Sequence, residues 1–331
     1  MLYLFYPYLL LVSFIVLIWA LVRKKKIITL ITLMLALVLN YKYEIIALNF
    51  NLRSSDRYSL SLVSYNLHSG GIYLAENSMN PSQLAAYLLS NDADILVLLE
   101  YDTIKCQALS SLLATRYPYV DVVTELAEYG PNAVFSKYPI THREIATFEN
   151  TDLKNELTQL REQDLTRWID SRRLILYNQL CVRGHTVNLI SCHLESNHID
   201  ITNNQAQGLS RMDLMRKHLF NLNRSEAVRY LECLLINSII KRRPNNEPVI
   251  VCGDFNMFCN SQSYSLLKNI GLKDAWWEKG FGYGSTYHGH SLLHFRLDHI
   301  MYSGSLELNK VRTLDNKFSD HDAIYAEFDF N

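Results

Sequence analysis

Asp254 and Asn256 follow an apolar, β-branched run at residues 249–251, which ends at Gly253. Residues i and i+2 lie on the same side of an extended backbone, so a carboxylate and a carboxamide would emerge together from the end of a buried strand. Burying such a pair costs free energy unless it meets a charged or reactive group. The alternative interpretation is an Asx-rich turn that closes the strand. The residues that end the other strands decide between the two.

Residues able to bind a metal ion or move a proton recur beside other apolar runs. Asn66 follows residues 60–65, Glu100 follows 94–99 and His193 follows 186–192. Asp298 lies within residues 297–302, and Asp320 and His321 precede residues 323–328. Any one of these residues is more often a cap or turn residue than a functional group. Their recurrence favours a site, because α/β sheets bind ligands at one edge of their strands.

The residue types in this set indicate phosphoester chemistry. Oxygen ligands such as Glu100, Asn66 and Asp320 suit Mg²⁺ or Mn²⁺, which prefer carboxylates. His193 and His321 would supply a proton acceptor and a cationic donor to developing negative charge. The sequence has no nucleophilic serine elbow, no glycine-rich phosphate loop and no zinc-ligand spacing. The combination predicts metal-assisted attack of water on a phosphorus ester.

Strand-like and helix-like segments alternate from about residue 53 onward, which is typical of an α/β domain. The predicted helices cover residues 81–89, 106–117, 225–240 and 264–270, and further strands cover 132–136 and 173–177. The polar segments 149–168 and 197–211 are predicted to lie on the surface. Because no repeat or Gly/Ser/Pro linker interrupts the pattern, we predict one catalytic domain over residues 53–331.

The first 49 residues predict a transmembrane helical hairpin, with helices at about 2–22 and 27–47. Residues 2–22 carry no charge and are long enough to cross a hydrocarbon core. The second run, 27–39, is short, so Lys42 would snorkel and residues 45–48 would continue the helix. The basic turn at residues 23–26 would lie in the cytoplasm, which places the domain on the opposite side. The alternative is a buried hairpin of a soluble domain.

The overall charge and the cysteines exclude some classes of function. The formal net charge is −1, which counts against a general nucleic-acid binder but not against a nuclease with metal ions. Lys310, Arg312, Lys317 and Arg296 are candidate backbone contacts, and they are scattered. Six cysteines show neither CxxC spacing nor a zinc pattern, so no disulfide framework is expected.

These motifs together resemble the endonuclease/exonuclease/phosphatase superfamily, which has the DNase I-like fold. The matching segments arrive in the family's order and cover nearly all of the soluble portion: 64–66, 95–100, 132–140, 191–194, 253–256, 297–300 and 319–321. The resemblance implies a four-layer α/β sandwich, in which two mixed β-sheets pack face to face with helices outside. The chain also resembles the membrane-attached bacterial members, which implies the bacterial inner membrane with an extracytoplasmic catalytic domain.

The resemblance also implies a role for each site residue. Glu100 would be the principal ligand of Mg²⁺ or Mn²⁺, and Asn66 and Asp320 would help to complete the metal site.

Five further residues would be catalytic: His193, Asp254, Asn256, Asp298 and His321. Asp254 would orient or deprotonate the attacking water, and Asn256 would bind a phosphate oxygen. His193 would donate to the scissile phosphate. His321, steered by Asp298, would act as general base or as a transition-state donor.

The leading hypothesis is a membrane-anchored, Mg²⁺-dependent phosphodiesterase or nuclease, whose partners are a phosphate-ester substrate and the lipid bilayer. The substrate would be a nucleic acid or a phospholipid headgroup, and no obligate protein partner is expected. One alternative is a sphingomyelinase-like or inositol-polyphosphate phosphatase-like hydrolase. Another is a catalytically inactive surface interaction module.

Overall fold

The computed structural model describes residues 6–50, 59–68, 80–104, 106–123, 132–148, 174–197, 211–289, 294–315 and 318–331. The strands within these ranges are β1 (Ala47–Leu48), β2 (Leu60–Asn66), β3 (Ile95–Leu99), β4 (Tyr119–Val122), β5 (Ala133–Ser136), β6 (Ile140–Thr147), β7 (Leu174–Val182), β8 (His185–His193), β9 (Val249–Asp254), β10 (Lys273–Asp274), β11 (Phe281–Gly282), β12 (Asp298–Tyr302), β13 (Leu306–Leu314) and β14 (Ala323–Phe330). The helices are α1 (Tyr6–Val22), α2 (Lys26–Tyr43), α3 (Pro81–Ser90), α4 (Gln107–Leu113), α5 (Arg211–Lys241), α6 (Gln262–Asn269) and α7 (Ala275–Lys279).

Two six-stranded mixed sheets form the centre of the domain. The first has the order β13-β14-β2-β3-β5-β4, and the second has the order β10-β12-β9-β8-β7-β6. In each sheet one central pair is parallel, β2 with β3 and β8 with β9, while the flanking pairs are antiparallel. The carboxyl ends of the parallel strands therefore meet the amino ends of β12 and β14 at one edge of the sandwich.

The sheets pack face to face, and helices cover their outer faces. On β3, Ile95 and Val97 join the core between the sheets, whereas Leu96 and Leu98 face the cluster that contains α3 and α4. This alternation is the period of two expected of a strand buried on both faces. On the second sheet, α5 and α6 pack over the outer side of β8 and β9. The predicted four-layer α/β sandwich is confirmed.

The first hairpin helix ends at Val22, but the second ends earlier than the sequence predicts. Helix α2 ends at Tyr43, and Glu44 adopts a left-handed conformation with φ of 49°. Residues 45–48, predicted to continue the helix, instead lead into β1. The Asn40 side chain explains the break, because it bonds both the amide nitrogen and the carbonyl oxygen of Ile46, at 2.7 and 2.8 Å. Within the described residues, α2 alone is long and apolar enough to cross a membrane, and residues 9–22 form a shorter apolar helix.

Other segments differ from the sequence expectation at the edges of the sheets. Strands β4, β6 and β13 were not predicted, and each of them lies at the end of a sheet. Their side chains alternate between buried and exposed or are mostly exposed, so the apolar signal is weak. Helix α5 begins at Arg211, which is 14 residues before the predicted start at Ser225, since its first half is polar. The predicted surface segment 149–168 lies outside the described residues, as does nearly all of 197–211.

A buried carboxylate ties β10, α7 and β12 together. Asp274, whose side chain is 1% exposed, accepts hydrogen bonds from Arg296 at 3.0 Å and from the backbone of Trp276 at 2.8 Å and of Trp277 at 3.2 Å. His299 Nδ1 lies 3.0 Å from the same carboxylate. Burial raises the pKa of Asp274, but Arg296 and His299 outweigh it and hold the pKa well below its usual range. The carboxylate is therefore ionised and completely hydrogen-bonded.

We expect Asp274→Ala to lower the free energy of unfolding by about 3–5 kcal/mol, because it leaves the Arg296 guanidinium buried without its counter-ion. The matched control is Asp213→Ala, which removes an exposed pair with Arg216 and is expected to cost less than about 1 kcal/mol. Urea unfolding of the full chain in detergent, followed by circular dichroism, measures both. Equal losses in the two variants would contradict the structural role of Asp274.

Candidate active site

The register of the second sheet places three polar residues side by side. Asp254, the last residue of β9, lies opposite His193 of β8 and opposite Asp298 of β12. The first sheet brings Asn66, at the end of β2, and Glu100, directly after β3, to the same edge. The strand-end residues predicted from the sequence thus converge in the cleft between the two sheets.

Asp254 is the centre of this cluster. Its side chain is 2% exposed, and its Oδ2 atom accepts a hydrogen bond from Asn66 Nδ2 at 3.1 Å. The same oxygen lies 3.6 Å from His193 Nε2 and 3.7 Å from His321 Nε2. Its Oδ1 atom accepts the backbone N–H of Asn256 at 2.9 Å. Burial raises the pKa of Asp254, and the two histidines only partly offset that effect.

His321 and Asp298 form a buried dyad beside Asp254. His321 Nδ1 lies 2.7 Å from Asp298 Oδ2. Burial lowers the pKa of His321, but the carboxylates of Asp298 and Asp254 outweigh it and raise the pKa to about 10. The Thr286 hydroxyl accepts the backbone N–H of Asp298 at 3.0 Å, which fixes the start of β12. The dyad therefore presents the second ring nitrogen of His321 toward Asp254.

Glu100 brings a second carboxylate to the mouth of the cleft. Asn66 Nδ2 lies 3.3 Å from Glu100 Oε1, and His193 Nδ1 lies 3.9 Å from the same oxygen. The glutamate has φ of 53°, an uncommon conformation for this residue type. Its side chain is 21% exposed, so it can reach a ligand that enters from solvent.

The remaining site residues are also placed at this edge. Asn256 donates from Nδ2 to the carbonyl oxygen of Leu194 at 3.1 Å, which uses one of its two amide hydrogens. Asp320 is paired with His68, whose Nδ1 lies 2.6 Å away. Burial raises the pKa of Asp320, but the hydrogen bond from His68 together with the charges of His321 and His68 outweighs it, and the net shift is downward.

The donor atoms fit a hard divalent cation. Ligand atoms of Asp254, Asp298 and His321 all lie within 4.8 Å of one another, and Glu100 adds a carboxylate beside Asp254. The Oδ1 atom of Asp298 is buried and has no hydrogen-bond partner among the described residues. Several carboxylates share one poorly hydrated cleft, so bound positive charge would relieve their mutual repulsion. Oxygen donors of this kind suit Mg²⁺ or Mn²⁺.

Sequence reasoning missed two histidine–carboxylate pairs, one on each side of the His321–Asp298 pair. Three consecutive residues each have such a partner: Asp320 with His68, His321 with Asp298, and Asp322 with His288. His288 Nδ1 also lies 3.1 Å from His294 Nδ1. The signal for His68 was available, because it is two residues after Asn66, at the end of a buried strand. The pairing of His288 with Asp322 spans 34 residues and has no local signal.

The basic residues considered for nucleic-acid contacts are engaged elsewhere. Arg296 is 2% exposed and bound to Asp274. Arg312 stacks over Tyr325 and bonds Asn91, and Lys310 lies 3.8 Å from Glu327. Lys317 lies outside the described residues.

Comparison with known proteins decides the family. The model of the endonuclease/exonuclease/phosphatase family matches residues 63–321, a range that includes every site residue above. The chain belongs to this family. No curated protein sequence matches the chain significantly.

Solved structures share the fold at low sequence identity. D. rerio TDP2 complexed with single strand DNA product is 19% identical, with a TM-score of 0.55, over 82% of this chain and 98% of that one. An endonuclease/exonuclease/phosphatase from Bacteroides vulgatus is 14% identical, with a TM-score of 0.59, over 82% and 99%. A mannosyl-6-phosphatase from Bacteroides thetaiotaomicron is 18% identical, with a TM-score of 0.57, over 82% and 100%.

Gly253 is the residue that lets β8 and β9 approach closely enough to align the site. Its φ is 144°, and a Cβ added there would lie 1.9 Å from the carbonyl oxygen of Cys192. We expect Gly253→Ala to cost more than about 3 kcal/mol, since backbone strain and the clash contribute roughly 1–3 kcal/mol each.

Gly271→Ala is the control for this prediction, because Gly271 has φ of 96° but open space around the added Cβ. Chemical unfolding of the two variants separates strain alone from strain with a clash. A loss at Gly253 no greater than at Gly271 would contradict the need for close strand approach.

Proposed function

We propose that this protein is a membrane-anchored, divalent-metal-dependent phosphoesterase that hydrolyses a phosphodiester by attack of water. The observation that supports this most is the buried Asp254 carboxylate, which lies within 4 Å of His193 and His321 and is bonded to Asn66. An interaction module would have no need for this desolvated, charged cluster, because burying it costs stability.

Each residue has a distinct part in the proposed reaction. Asp254 orients the attacking water and accepts its proton, since its raised pKa makes it a better base than an exposed aspartate. His193 and His321 face the same carboxylate and stabilise negative charge on the phosphoryl oxygens. Asp298 holds His321 by its Nδ1 atom, which leaves Nε2 for the substrate. Asn256 donates its remaining amide hydrogen to a phosphate oxygen.

Glu100 is the proposed principal ligand of Mg²⁺ or Mn²⁺, with Asn66 and Asp320 completing the set. Such an ion, when bound, neutralises phosphate charge and activates water. The Glu100 side chain is 21% exposed, so its carboxylate is suited to meet an ion from solvent. Asp320 is held by His68, which fixes the direction of its carboxylate.

The substrate is proposed to be a phosphodiester of nucleic acid, as in the DNA-bound structural relative. The alternative is a phospholipid headgroup or another phosphomonoester or diester, as in sphingomyelinase-like and inositol-polyphosphate phosphatase-like enzymes. Two observations favour this alternative: Arg296, Lys310 and Arg312 are engaged with other side chains, and a phosphatase shares the fold.

Membrane anchoring is supported by the surface of the hairpin. Only 6% of α2 is buried, whereas a core helix of a soluble protein would be mostly buried. The basic turn between the helices favours a cytoplasmic loop, which leaves the catalytic domain outside the cytoplasm of a bacterial cell.

Metal dependence and the role of Glu100 can be tested with the full chain in detergent micelles. We expect hydrolysis of bis-p-nitrophenyl phosphate to stop in EDTA and to return with Mg²⁺ or Mn²⁺. Glu100→Gln should lower the rate by at least about 100-fold, because it removes a charged metal ligand. Glu307→Gln, at an exposed position on β13, is the control and should leave the rate unchanged.

The same preparation should be offered DNA, RNA, sphingomyelin and inositol phosphates, because this panel separates nuclease from lipid and inositol-phosphate hydrolase. Full activity in EDTA would contradict the metal, and no turnover on the whole panel would contradict the enzyme.

The dyad predicts that Asp298 and His321 act as a unit in hydrolysis. His321→Ala should reduce the rate by about 10²–10⁴-fold, the usual range for a proton-transfer or charge-stabilising group. Because Asp298 acts through His321, Asp298→Asn combined with His321→Ala should be no worse than His321→Ala alone. Rates on bis-p-nitrophenyl phosphate, with circular dichroism to check folding, complete the cycle. If the two losses multiply, Asp298 acts independently of His321.

A further inference from the structure

The outer end of the hairpin is built into the catalytic domain. Strand β1 pairs with β11 in antiparallel register, Ala47 with Gly282 and Leu48 with Phe281. The Asn49 side chain donates to the carbonyl oxygens of Trp277 and Gly280 at 2.9 and 3.0 Å. Residues 47–49 of the connection between hairpin and domain are therefore hydrogen-bonded to the domain.

Glu44 fixes the same junction from the other side. Its carboxylate accepts hydrogen bonds from Tyr264 at 2.6 Å and from Lys268 at 2.9 Å, both on α6. Glu44 follows the last residue of α2 directly, so the domain cannot rotate freely about the end of that helix.

Large apolar side chains remain uncovered at this junction. Tyr41, Leu48, Phe50 and Phe281 are 80%, 52%, 77% and 59% exposed, and we call them the junction patch. Phe50 and Phe281 contact each other edge to face, with ring centroids 5.6 Å apart. A contiguous exposed patch of this kind marks a surface that another phase or partner covers.

A cleft of about 560 Å³ opens beside the patch, and the residues that line it indicate what covers the patch. Its lining combines the apolar Leu37 and Leu48 with the aromatic Tyr41 and Trp277 and the polar Asn49 and Glu278. Apolar, aromatic and polar side chains together are typical of the bilayer interface, where Trp and Tyr lie at the headgroup level.

The active site lies a short way along the chain from this junction. Tyr283 packs on the cluster of Leu10, Ala36 and Ile45 at the outer end of the hairpin. Four residues later, the Tyr287 ring lies 4.9 Å from that of His321 by centroids. The Cα atoms of Tyr283 and Tyr287 are at most about 14 Å apart, so one short segment connects the end of the hairpin with the catalytic cleft.

We propose that the junction patch and its cleft are seated in the lipid headgroup layer, so that the catalytic domain lies on the bilayer rather than hanging from a flexible tether. This rests on the proposed membrane anchoring. The hydrolytic site is then held at a fixed height of a few headgroup thicknesses above the hydrocarbon core, where it meets phosphoesters displayed at the membrane surface.

Site-directed spin labelling of the full chain in phosphatidylcholine vesicles tests this proposal. Cys181, the exposed cysteine of the described residues, is replaced by serine, and single cysteines are introduced in place of Phe281, Leu30 and Tyr119. Leu30 lies within α2 and reports insertion of the hairpin. Tyr119 is a 40%-exposed aromatic residue on β4, at the opposite edge of its sheet from β13, and serves as the matched control.

The measured quantity is the ratio of label collisions with oxygen, which partitions into lipid, to collisions with a water-soluble nickel chelate. We expect a high ratio at positions 30 and 281 and a low ratio at 119. A high ratio at 30 with a ratio at 281 equal to that at 119 would overturn the docking and leave the anchoring intact. A low ratio at 30 would show that the anchoring itself fails.

Two further measurements distinguish insertion into lipid from coverage of the patch by a second copy and from a local effect of the label. Dipolar broadening between labels at position 281 would show that a second copy covers the patch, which overturns the proposal. Phe50→Ser should lower the ratio at 281, because it removes a neighbouring large apolar side chain of the junction patch, while hydrolysis of the soluble bis-p-nitrophenyl phosphate stays unchanged. An unchanged ratio in that variant would argue against insertion of the patch.

Discussion

The burial of the Asp254 carboxylate is the constraint on which the site depends. A charge this far from water is tolerated only when donors surround it, and these donors come from both sheets. Asn66 reaches it from the first sheet, while His193 and the backbone of Asn256 reach it from the second. The separation of the sheets, set by the apolar core between them, therefore also sets the geometry of the cleft. A change in that core would move the donors relative to the carboxylate.

The left-handed backbone conformation at the strand ends also costs conformational free energy. Glu100, Asn256 and His68 all have φ near 50°, and each follows a strand that reaches the cleft. The conformation costs an L-residue roughly 1–2 kcal/mol, less for asparagine. Strand β3 is buried along its whole length, so it can hold Glu100 in this conformation. The turn re-aims the carboxylate toward Asn66 and the mouth of the cleft instead of letting the strand continue.

The sequence predicted the central strands and most of the site for the same reason. Strands β2, β3, β8 and β9 are almost wholly apolar, so the polar residue that ends each one stands out. In the edge strands β6 and β13, charged residues interrupt the apolar ones, so no continuous apolar run marks them as strands. His288 and Asp322 were missed because their pairing depends on how the segment after β11 folds back onto β14. The contact of Arg296 with Asp274 could not be predicted from the sequence either. Because Arg296 is buried in that contact, it is not available for the nucleic-acid contact that the sequence suggested.

One polar network joins the junction to the segment that precedes Asp298. Tyr264 lies between the carboxylates of Glu44 and Asp274, at 2.6 and 3.0 Å, and its single hydroxyl proton cannot serve both at once. Lys268 supplies the other donor to Glu44, and Arg296 supplies the other donors to Asp274. Arg296 also bonds the backbone oxygen of Glu44 and stands two residues before Asp298, which holds His321. The end of the hairpin is thus part of the packing around the segment that leads to the dyad, so the proposed anchoring and the proposed catalysis would depend on the same set of charges.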